Sequence, residues 1–269
     1  FILLARMKIS KYEKYLTGII IFGLLLRLIF FTGSDTSDQL DYYKYANEVT
    51  KGTFELVPDH FSSRIGLIYI QAFFYKLFGV NEFTSNAFVL ILSIGGIILI
   101  FYLGKLIFNE KTGLIAAFLL SFYPLDVIYA SRLLPDLPAG FFIALSVFLF
   151  LNGEKQNNVK AGIYHLSSGL ALAIAYLMKE VSIILSLFFL IYILYKKKFK
   201  RTYALILLGF TPALIIEFLH AYIYTGNPLF RYTAIEIQTV DFLKETYSNI
   251  YSTKFGIISR LFFHWPFLM

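Results

Sequence analysis

Long apolar runs, separated by short polar segments, dominate the chain. A helix that crosses a bilayer core needs about 20 apolar residues, within a range of about 17–25. The runs predict spanning helices at about 16–32, 84–107, 112–130, 137–151, 162–178, 181–195 and 202–224, and a further one beginning near 256. The pattern therefore predicts an all-α, polytopic membrane helix bundle with about seven to eight transmembrane helices.

One apolar stretch is too short for a spanning helix. The sequence RIGLIYIQAFFYKLFG, 64–79, has about 14 uninterrupted positions, and Arg64, Gln71 and Lys76 flank or interrupt them. That length suits a re-entrant helix or one that lies in the membrane interface. We therefore expect a long first external loop, about 32–83, that carries interfacial helices.

The lysines and arginines are divided unequally between the two sides of the membrane. If 64–79 does not span, one side receives 13 Lys/Arg with three acids, including the run KKKFKR at 196–201. The other side receives 11 bases and 14 acids. Cytoplasmic loops carry an excess of Lys and Arg. The charge pattern thus predicts a cytoplasmic N-terminus and an external long loop. We expect the protein to lie in the plasma membrane, with its active site on the outer face.

Composition agrees with a membrane protein and narrows the possible chemistry. The chain is 58% hydrophobic and 15% charged, whereas a soluble domain has about 45–50% apolar and about 25% charged residues. Because the positive-inside rule accounts for the net charge of +7, no nucleic-acid partner is expected. The absence of cysteine excludes disulfides and thiolate metal sites. We expect 1–269 to be a single integral-membrane domain, the N-terminal part of a longer protein.

Ionisable residues gather at the helix ends and loops that are predicted to be external. Because a helix bundle brings such ends together, their convergence predicts a site, although any single charge there has solvation as an alternative explanation. The acids are Asp35, Asp38, Asp41, Asp126, Asp136, Glu180 and Glu217, and the bases are Arg64, Arg132, Lys179 and His60.

The segment DTSDQLDYYKYANEV, 35–49, contains the first candidate group. Apolar positions recur at helical spacing after Asp38, which predicts a helix that begins there. Asp38 and Asp41 share a face of that helix. Two neighbouring carboxylates raise the pKa of one of them, which suits a proton acceptor. Helix capping is the alternative interpretation, and it is the preferred one for Asp35.

Two further segments carry candidate charges. In SRLLPDLPAGFF, 131–142, two prolines frame Asp136 at a predicted helix start, and Arg132 is either an ion-pair partner of Asp136 or a phosphate ligand. In AYLMKEVSI, 175–183, Lys179 and Glu180 lie between two apolar runs. They must lie near the membrane surface and be partly buried, which indicates a functional role. Snorkelling of Lys179 to the interface is the alternative.

Carboxylates beside cations at the outer membrane surface suit group transfer from a lipid phosphate. The leaving phosphate needs Arg or Lys nearby, and an acceptor hydroxyl or amine needs a base. The competing interpretation is a polytopic transporter or a flippase for lipid-linked oligosaccharides. Such proteins carry charges near the bilayer midplane and have broken helices in repeated halves.

The sequence resembles the GT-C superfamily of polyprenyl-phosphate-sugar glycosyltransferases, nearest to protein O-mannosyltransferases, aminoarabinose transferases and galacturonosyltransferases of the Rgt type. The motifs are DQLDYYKYA after the first span, SRIGLIYIQAFFYKLFGVNEF, SRLLPDLPAGFF, LALAIAYLMKE and TGNPLFRY. The resemblance implies a polyprenyl-phosphate sugar donor and a lipid, glycan or protein acceptor on the non-cytoplasmic face. No cofactor is certain; some members bind a divalent metal between external carboxylates, and no metal ligand is assigned here.

The resemblance also implies roles for individual residues. Asp38 would be the base that activates the acceptor, Asp136 a second catalytic carboxylate, and Lys179 the ligand of the donor phosphate. The remaining candidates are Arg132 and Arg64 for phosphate binding and, in supporting roles, Asp41, Tyr42, Glu180 and His60. The segment HFSSRIG, 60–66, which contains His60 and Arg64, stands where the family has a proline-rich segment.

The predicted orientation can be tested with topology reporters. A reporter fused after Arg201 should be cytoplasmic, because it follows the most basic loop, and one inserted within 50–60 should be external. Protease or alkylation protection of the two reporters measures this. Finding both on the same side would contradict a non-spanning 64–79.

Overall fold

The computed structural model describes residues 11–33, 38–197 and 199–233, and this part of the chain is helical and contains no strand. Its α-helices are α1 Lys11–Ile29, α2 Asp38–Lys51, α3 Ile65–Phe78, α4 Glu82–Ile107, α5 Glu110–Ser121, α6 Pro124–Tyr129, α7 Asp136–Glu154, α8 Asn158–Met178, α9 Leu185–Lys196 and α10 Ala204–Thr225. Short 3-10 helices, Glu180–Ile184 and Arg201–Tyr203, precede α9 and α10. The predicted all-α bundle is confirmed.

Four described helices are long and apolar enough to cross a membrane. They are Glu82–Ile107, Asp136–Glu154, Asn158–Met178 and Arg201–Thr225. The spans predicted at 84–107, 137–151, 162–178 and 202–224 fall within them. Most of the span predicted at 16–32 lies in α1, and the one expected near 256 lies outside the described residues.

The continuous helix predicted over 112–130 is wrong. Helix α5 ends at Ser121 and α6 begins at Pro124. Proline has no N–H to continue the hydrogen-bond ladder, and it drives the preceding residue out of the helical region. Tyr123 is accordingly extended, with φ −60° and ψ 116°. The span predicted at 181–195 is also interrupted, because a 3-10 helix precedes the 12-residue α9.

Helices α2 and α3 form the segment that was predicted to be an external loop. Helix α2 begins at Asp38, as predicted. Helix α3 has 14 residues, which matches the short apolar helix expected at 64–79. Its position in the membrane interface stays a prediction.

Small residues allow close packing of the long helices. A Cβ atom at Gly169 of α8 would lie 2.1 Å from the Ile206 carbonyl oxygen, and one at Gly209 of α10 would lie 2.3 Å from the Leu166 carbonyl oxygen. Only glycine therefore permits this α8–α10 crossing, a device typical of membrane helices. Across α7 and α8, the Ser146 and Ser168 hydroxyls each donate to the other's carbonyl oxygen at 2.8 Å.

The largest buried apolar cluster joins the elements that carry the candidate residues. It draws on α2, α3, α4, the segment before α7, the start of α7 and the end of α8. Its members are Tyr42, Tyr45, Phe54, Leu67, Ile68, Phe88, Val89, Leu92, Leu133, Ala139 and Met178. This core fixes the start of α7 and the end of α8 against α2 and α3 at one end of the bundle.

A buried arginine ties α1 to α4, α5 and α6. Arg27 is fully buried, and its Nη2 pairs with the Asp126 carboxylate. Its Nε donates to Ser93 Oγ at 2.6 Å, and its Nη1 donates to the Gly23 and Ser121 carbonyl oxygens at 2.9 Å each. Pairing with an aspartate, rather than snorkelling, therefore satisfies this charge within the first predicted span.

Removing the arginine of this pair should destabilise the protein. We expect Arg27→Met to lower the free energy of unfolding by about 3–5 kcal/mol, because it leaves Asp126 partly buried without its counter-charge. The midpoint of thermal unfolding in detergent measures the effect.

Lys105→Met is the matched control. Lys105 pairs with Glu110 at 2.6 Å but is 37% exposed, so its removal should cost about 0–1 kcal/mol. Equal losses in the two variants would mean that burial of the Arg27 pair contributes nothing specific.

Candidate active site

The first turn of α2 brings a candidate carboxylate close to a buried tyrosine. Asp38 is exposed and Asp41 is half-buried, whereas Tyr42, one turn after Asp38, is fully buried. Burial raises the pKa of the Tyr42 hydroxyl to about 12, against the lowering effect of Arg64, and the charge of Asp38 adds to the increase. The hydroxyl is therefore protonated at neutral pH. Asp35 lies outside the described residues.

Arg64 connects this tyrosine to a distant carboxylate. It lies immediately before α3 and is 8% exposed. Its Nη1 donates a hydrogen bond to the Tyr42 hydroxyl, and its Nη2 lies 3.4 Å from Glu180 Oε1. The structure thus brings together three candidate residues, from α2, the start of α3 and the 3-10 helix after α8.

Glu180 lies between two arginines. Its second oxygen, Oε2, accepts a hydrogen bond from Arg231 Nη2 at 2.7 Å. Burial alone would raise the pKa of Glu180, but the charges of Arg64 and Arg231 outweigh it and lower the pKa to about 2. Glu180 therefore stays ionised over the whole physiological range.

Sequence reasoning did not assign a role to Arg231. It is 2% exposed, and its Nη1 lies 3.4 Å from Glu217 Oε2 of α10. Its guanidinium also lies over the Tyr176 ring, 5.2 Å from the centroid. The available signals were weak: one arginine shortly after a span, and one acid, Glu217, inside that span. Neither signal indicates that the two side chains pair with each other.

Asp136 and Lys179 form a second pair at the same end of the bundle. Asp136 is the first residue of α7, as predicted, and Lys179 directly follows α8. Lys179 Nζ lies 2.5 Å from Asp136 Oδ1, and the two side chains are 30% and 54% exposed. Within the described part of the chain, Asp136 thus forms its ion pair with Lys179 and not with Arg132. Arg132 lies half-buried in the segment between α6 and α7.

The segment before Arg64 is held by a buried hydrogen-bond network. Asp59 accepts hydrogen bonds from the Tyr45 hydroxyl and the Ser62 backbone N–H, both at 2.6 Å. The His60 ring packs on Phe61, with 3.9 Å between the centroids. These contacts fix the path of the chain into α3, and with it the position of Arg64.

A largely apolar groove of about 370 Å³ reaches this end of the bundle. Asp136 lies at the start of α7, and the groove continues past Gly140 to Ala144, two turns further along that helix. Asp126 and Ser93 contribute further polar groups. The remaining lining residues are Leu92, Gly96, Leu99, Ile100, Leu120, Tyr123, Leu125, Tyr129, Leu137 and Phe141. The shape and lining suit a hydrocarbon chain whose polar head lies near Asp136.

The described carboxylates do not form a metal centre. No group of three or more His, Cys, Asp or Glu side chains suited to a metal ion occurs among the described residues. Asp126, Asp136 and Glu180 are each engaged by a lysine or an arginine. His165 lies apart, toward the other end of α8, where its Nδ1 is 2.9 Å from Thr202 Oγ1.

The comparison with known families gives one result. Residues 64–222, more than half of the 269-residue chain, match the model of the dolichyl-phosphate-mannose-protein mannosyltransferase family. The matched part runs from Arg64 into the last turn of α10 and includes Asp136, Lys179 and Glu180, whereas Asp38 and Arg231 lie outside it. No curated protein and no solved structure matches the chain significantly.

Proposed function

The chain belongs to the dolichyl-phosphate-mannose-protein mannosyltransferase family, and we propose that it transfers a sugar from a polyprenyl phosphate to an acceptor hydroxyl at the outer face of the membrane. Membership of this family makes the protein a membrane glycosyltransferase that uses a lipid-linked sugar donor. The proposal adds the side of the membrane, the acceptor, which is a lipid, a glycan or a protein hydroxyl, and the residues that act.

The observation that carries the proposal is the groove whose lining includes Asp136, the ion-pair partner of Lys179. A polyprenyl-phosphate donor has a long apolar chain and one anionic head. The groove offers apolar walls for such a chain. Lys179, 2.5 Å from the Asp136 carboxylate, offers a partly exposed ammonium for the head. Charge-assisted contacts of this kind are among the stronger ones available to a phosphate.

The reaction requires a base and a stabilised leaving group. The acceptor oxygen attacks C1 of the sugar and gives its proton to Asp38. The bond between C1 and the phosphate oxygen breaks, and its electron pair leaves on the lipid phosphate. The ammonium of Lys179 opposes the negative charge that develops there, and Arg132 is the second candidate cation.

The surroundings of Asp38 support its role as the base. It is exposed, so an acceptor reaches it from water, and it lies in the first turn of α2, at the helix end that attracts negative charge. The protonated Tyr42 hydroxyl, held by Arg64, lies in its electrostatic environment. The competing interpretation, a transporter or flippase, gains no support from the family match.

Replacing the proposed base should abolish transfer without unfolding the protein. Asp38→Asn keeps the shape and some capping ability but accepts no proton. We expect transfer from a lipid-phosphate sugar to fall about 10²–10⁴-fold, with a thermal midpoint close to that of the unmodified protein. A radiolabelled-sugar transfer assay with purified protein measures the rate.

Glu48→Gln provides the control on the same helix. Glu48 makes only a 4.0 Å surface contact with Lys44, so this change should leave the rate almost unaltered. A fully active Asp38→Asn enzyme would exclude Asp38 as the base. Asp35→Asn should also keep most of the activity; if it loses as much as Asp38→Asn, the cluster acts through its total charge.

Removing the charge of Lys179 should weaken donor binding. Lys179→Met keeps the length and apolarity of the side chain. Hydrogen bonds to charged groups contribute about 1.5–3 kcal/mol, so we expect the Kd for polyprenyl phosphate to rise about 10- to 100-fold. Equilibrium binding in nanodiscs measures it, with Lys76→Met, an exposed lysine of α3, as the control. An unaltered Kd would leave the Asp136–Lys179 pair with a purely structural role.

A further inference from the structure

Arg231 is a deeply buried cation near the proposed site, and the reaction scheme does not use it. It is 2% exposed and bridges two carboxylates, Glu180 at 2.7 Å and Glu217 at 3.4 Å. Burying a guanidinium costs several kcal/mol unless it is well paired. Glu180 accepts a hydrogen bond from Nη2 and Glu217 supplies a second counter-charge, while Nε and Nη1 have no hydrogen-bond partner among the described residues. Arg231 thus holds these carboxylates together at the end of the bundle.

The charges alternate along a continuous path. The path starts beside Asp38, the proposed base, and leads into the bundle. Each group on it contacts the next, in the order Tyr42, Arg64, Glu180, Arg231 and Glu217. The path crosses α2, the start of α3, the 3-10 helix after α8, the segment after α10, and α10 itself. Each arginine therefore depends on a carboxylate that another arginine also holds.

We propose that Arg231 is a positioning residue: it orients Glu180, Glu180 orients Arg64, and Arg64 holds Tyr42 beside Asp38. This inference rests on the proposed function, since it assumes that Asp38 is the base. Arg231 touches neither Asp38 nor the groove in the described structure, so it acts through its neighbours and is not a catalytic residue.

The geometry explains why an arginine is suited to this position. Its planar guanidinium reaches Glu180 through Nη2 and Glu217 through Nη1, while its face lies over the Tyr176 ring. A lysine is a single compact charge that cannot bridge two carboxylates in this way. Without Arg231, Glu180 would keep only Arg64, at the longer distance of 3.4 Å.

The protonation of Glu180 provides the measurable consequence. Its pKa is about 2 because Arg64 and Arg231 outweigh the raising effect of burial. Removing one of two opposite charges raises a carboxylate pKa by about 1–3 units. The groups that act on Glu180 or lie close to it in the network, from every element packed there, are Arg64, Tyr42 and Asp38, Arg231, Glu217, Tyr176, Lys179 and Asp136.

The test is the pH profile of kcat/KM for sugar transfer. In the unmodified protein Glu180 is ionised throughout the assay range. The fall of kcat/KM at low pH, the acid limb of the profile, therefore reports the protonation of another group. In Arg231→Met, Glu180 becomes protonated as the pH falls and releases Arg64. Protonation of Glu180 then adds to that of the group that sets the acid limb. We therefore expect the limb to move to higher pH, and kcat/KM to fall further below that of the unmodified protein as the pH decreases.

Three variants make the result specific. Lys44→Met removes an exposed positive charge from α2 and should leave the acid limb in place. Glu180→Gln removes the titrating group, so adding Arg231→Met to it should produce no shift. Arg231→Lys keeps the charge and serves if Arg231→Met does not fold. It should lower kcat/KM with little shift of the limb, and it should cause no further loss when Glu180→Gln is already present.

The possible outcomes separate the two proposals. A shifted limb in Arg231→Met that disappears in the Glu180→Gln background supports the positioning role. In Arg231→Met, an unshifted limb or a uniform loss at all pH values overturns that role while the proposed function stands; so does a loss in Arg231→Lys that is equally large in the Glu180→Gln background. Absence of transfer by the unmodified protein, or full activity of Asp38→Asn, overturns the function and the positioning role with it.

Discussion

A guanidinium inside an apolar helix bundle needs a carboxylate within reach, and this requirement organises one whole end of the protein. Arg27 meets it with Asp126, Arg64 with Glu180, and Arg231 with Glu180 and Glu217. The partners always come from different elements. The buried charges therefore fix the relative positions of the helices, in addition to the non-directional contribution of the apolar core.

Local signals in the sequence predicted the elements well. The start of α2 at Asp38 was predicted from the helical spacing that follows it, and the start of α7 at Asp136 from the flanking prolines. Helix α3 was predicted to be a short, non-spanning helix because its apolar run is shorter than a bilayer requires. The break before Pro124 was missed because hydropathy alone recorded a continuous apolar run. A proline within a run is itself a local signal, so that error was avoidable.

The pairing of the candidate side chains could not be predicted in the same way. Arg64 and Glu180 are 116 positions apart, and Asp136 and Lys179 are 43 apart. The sequence predicted that all four lie at one end of the bundle, but it held no information on which carboxylate pairs with which cation. That choice depends on helix rotation and on close approaches such as the α8–α10 crossing at Gly169 and Gly209, which are properties of the packed molecule.

The break between α5 and α6 has a consequence for how this sequence can vary. In an unbroken helix the Ser121 carbonyl oxygen would accept the N–H of residue 125; here it accepts a hydrogen bond from Arg27 at 2.9 Å instead. Restoring the helix would withdraw an acceptor from the arginine, and losing the arginine would leave a carbonyl without its donor in an apolar surrounding. Proline and arginine, 97 positions apart, are thus an epistatic pair, because the cost of replacing one depends on which residue stands at the other.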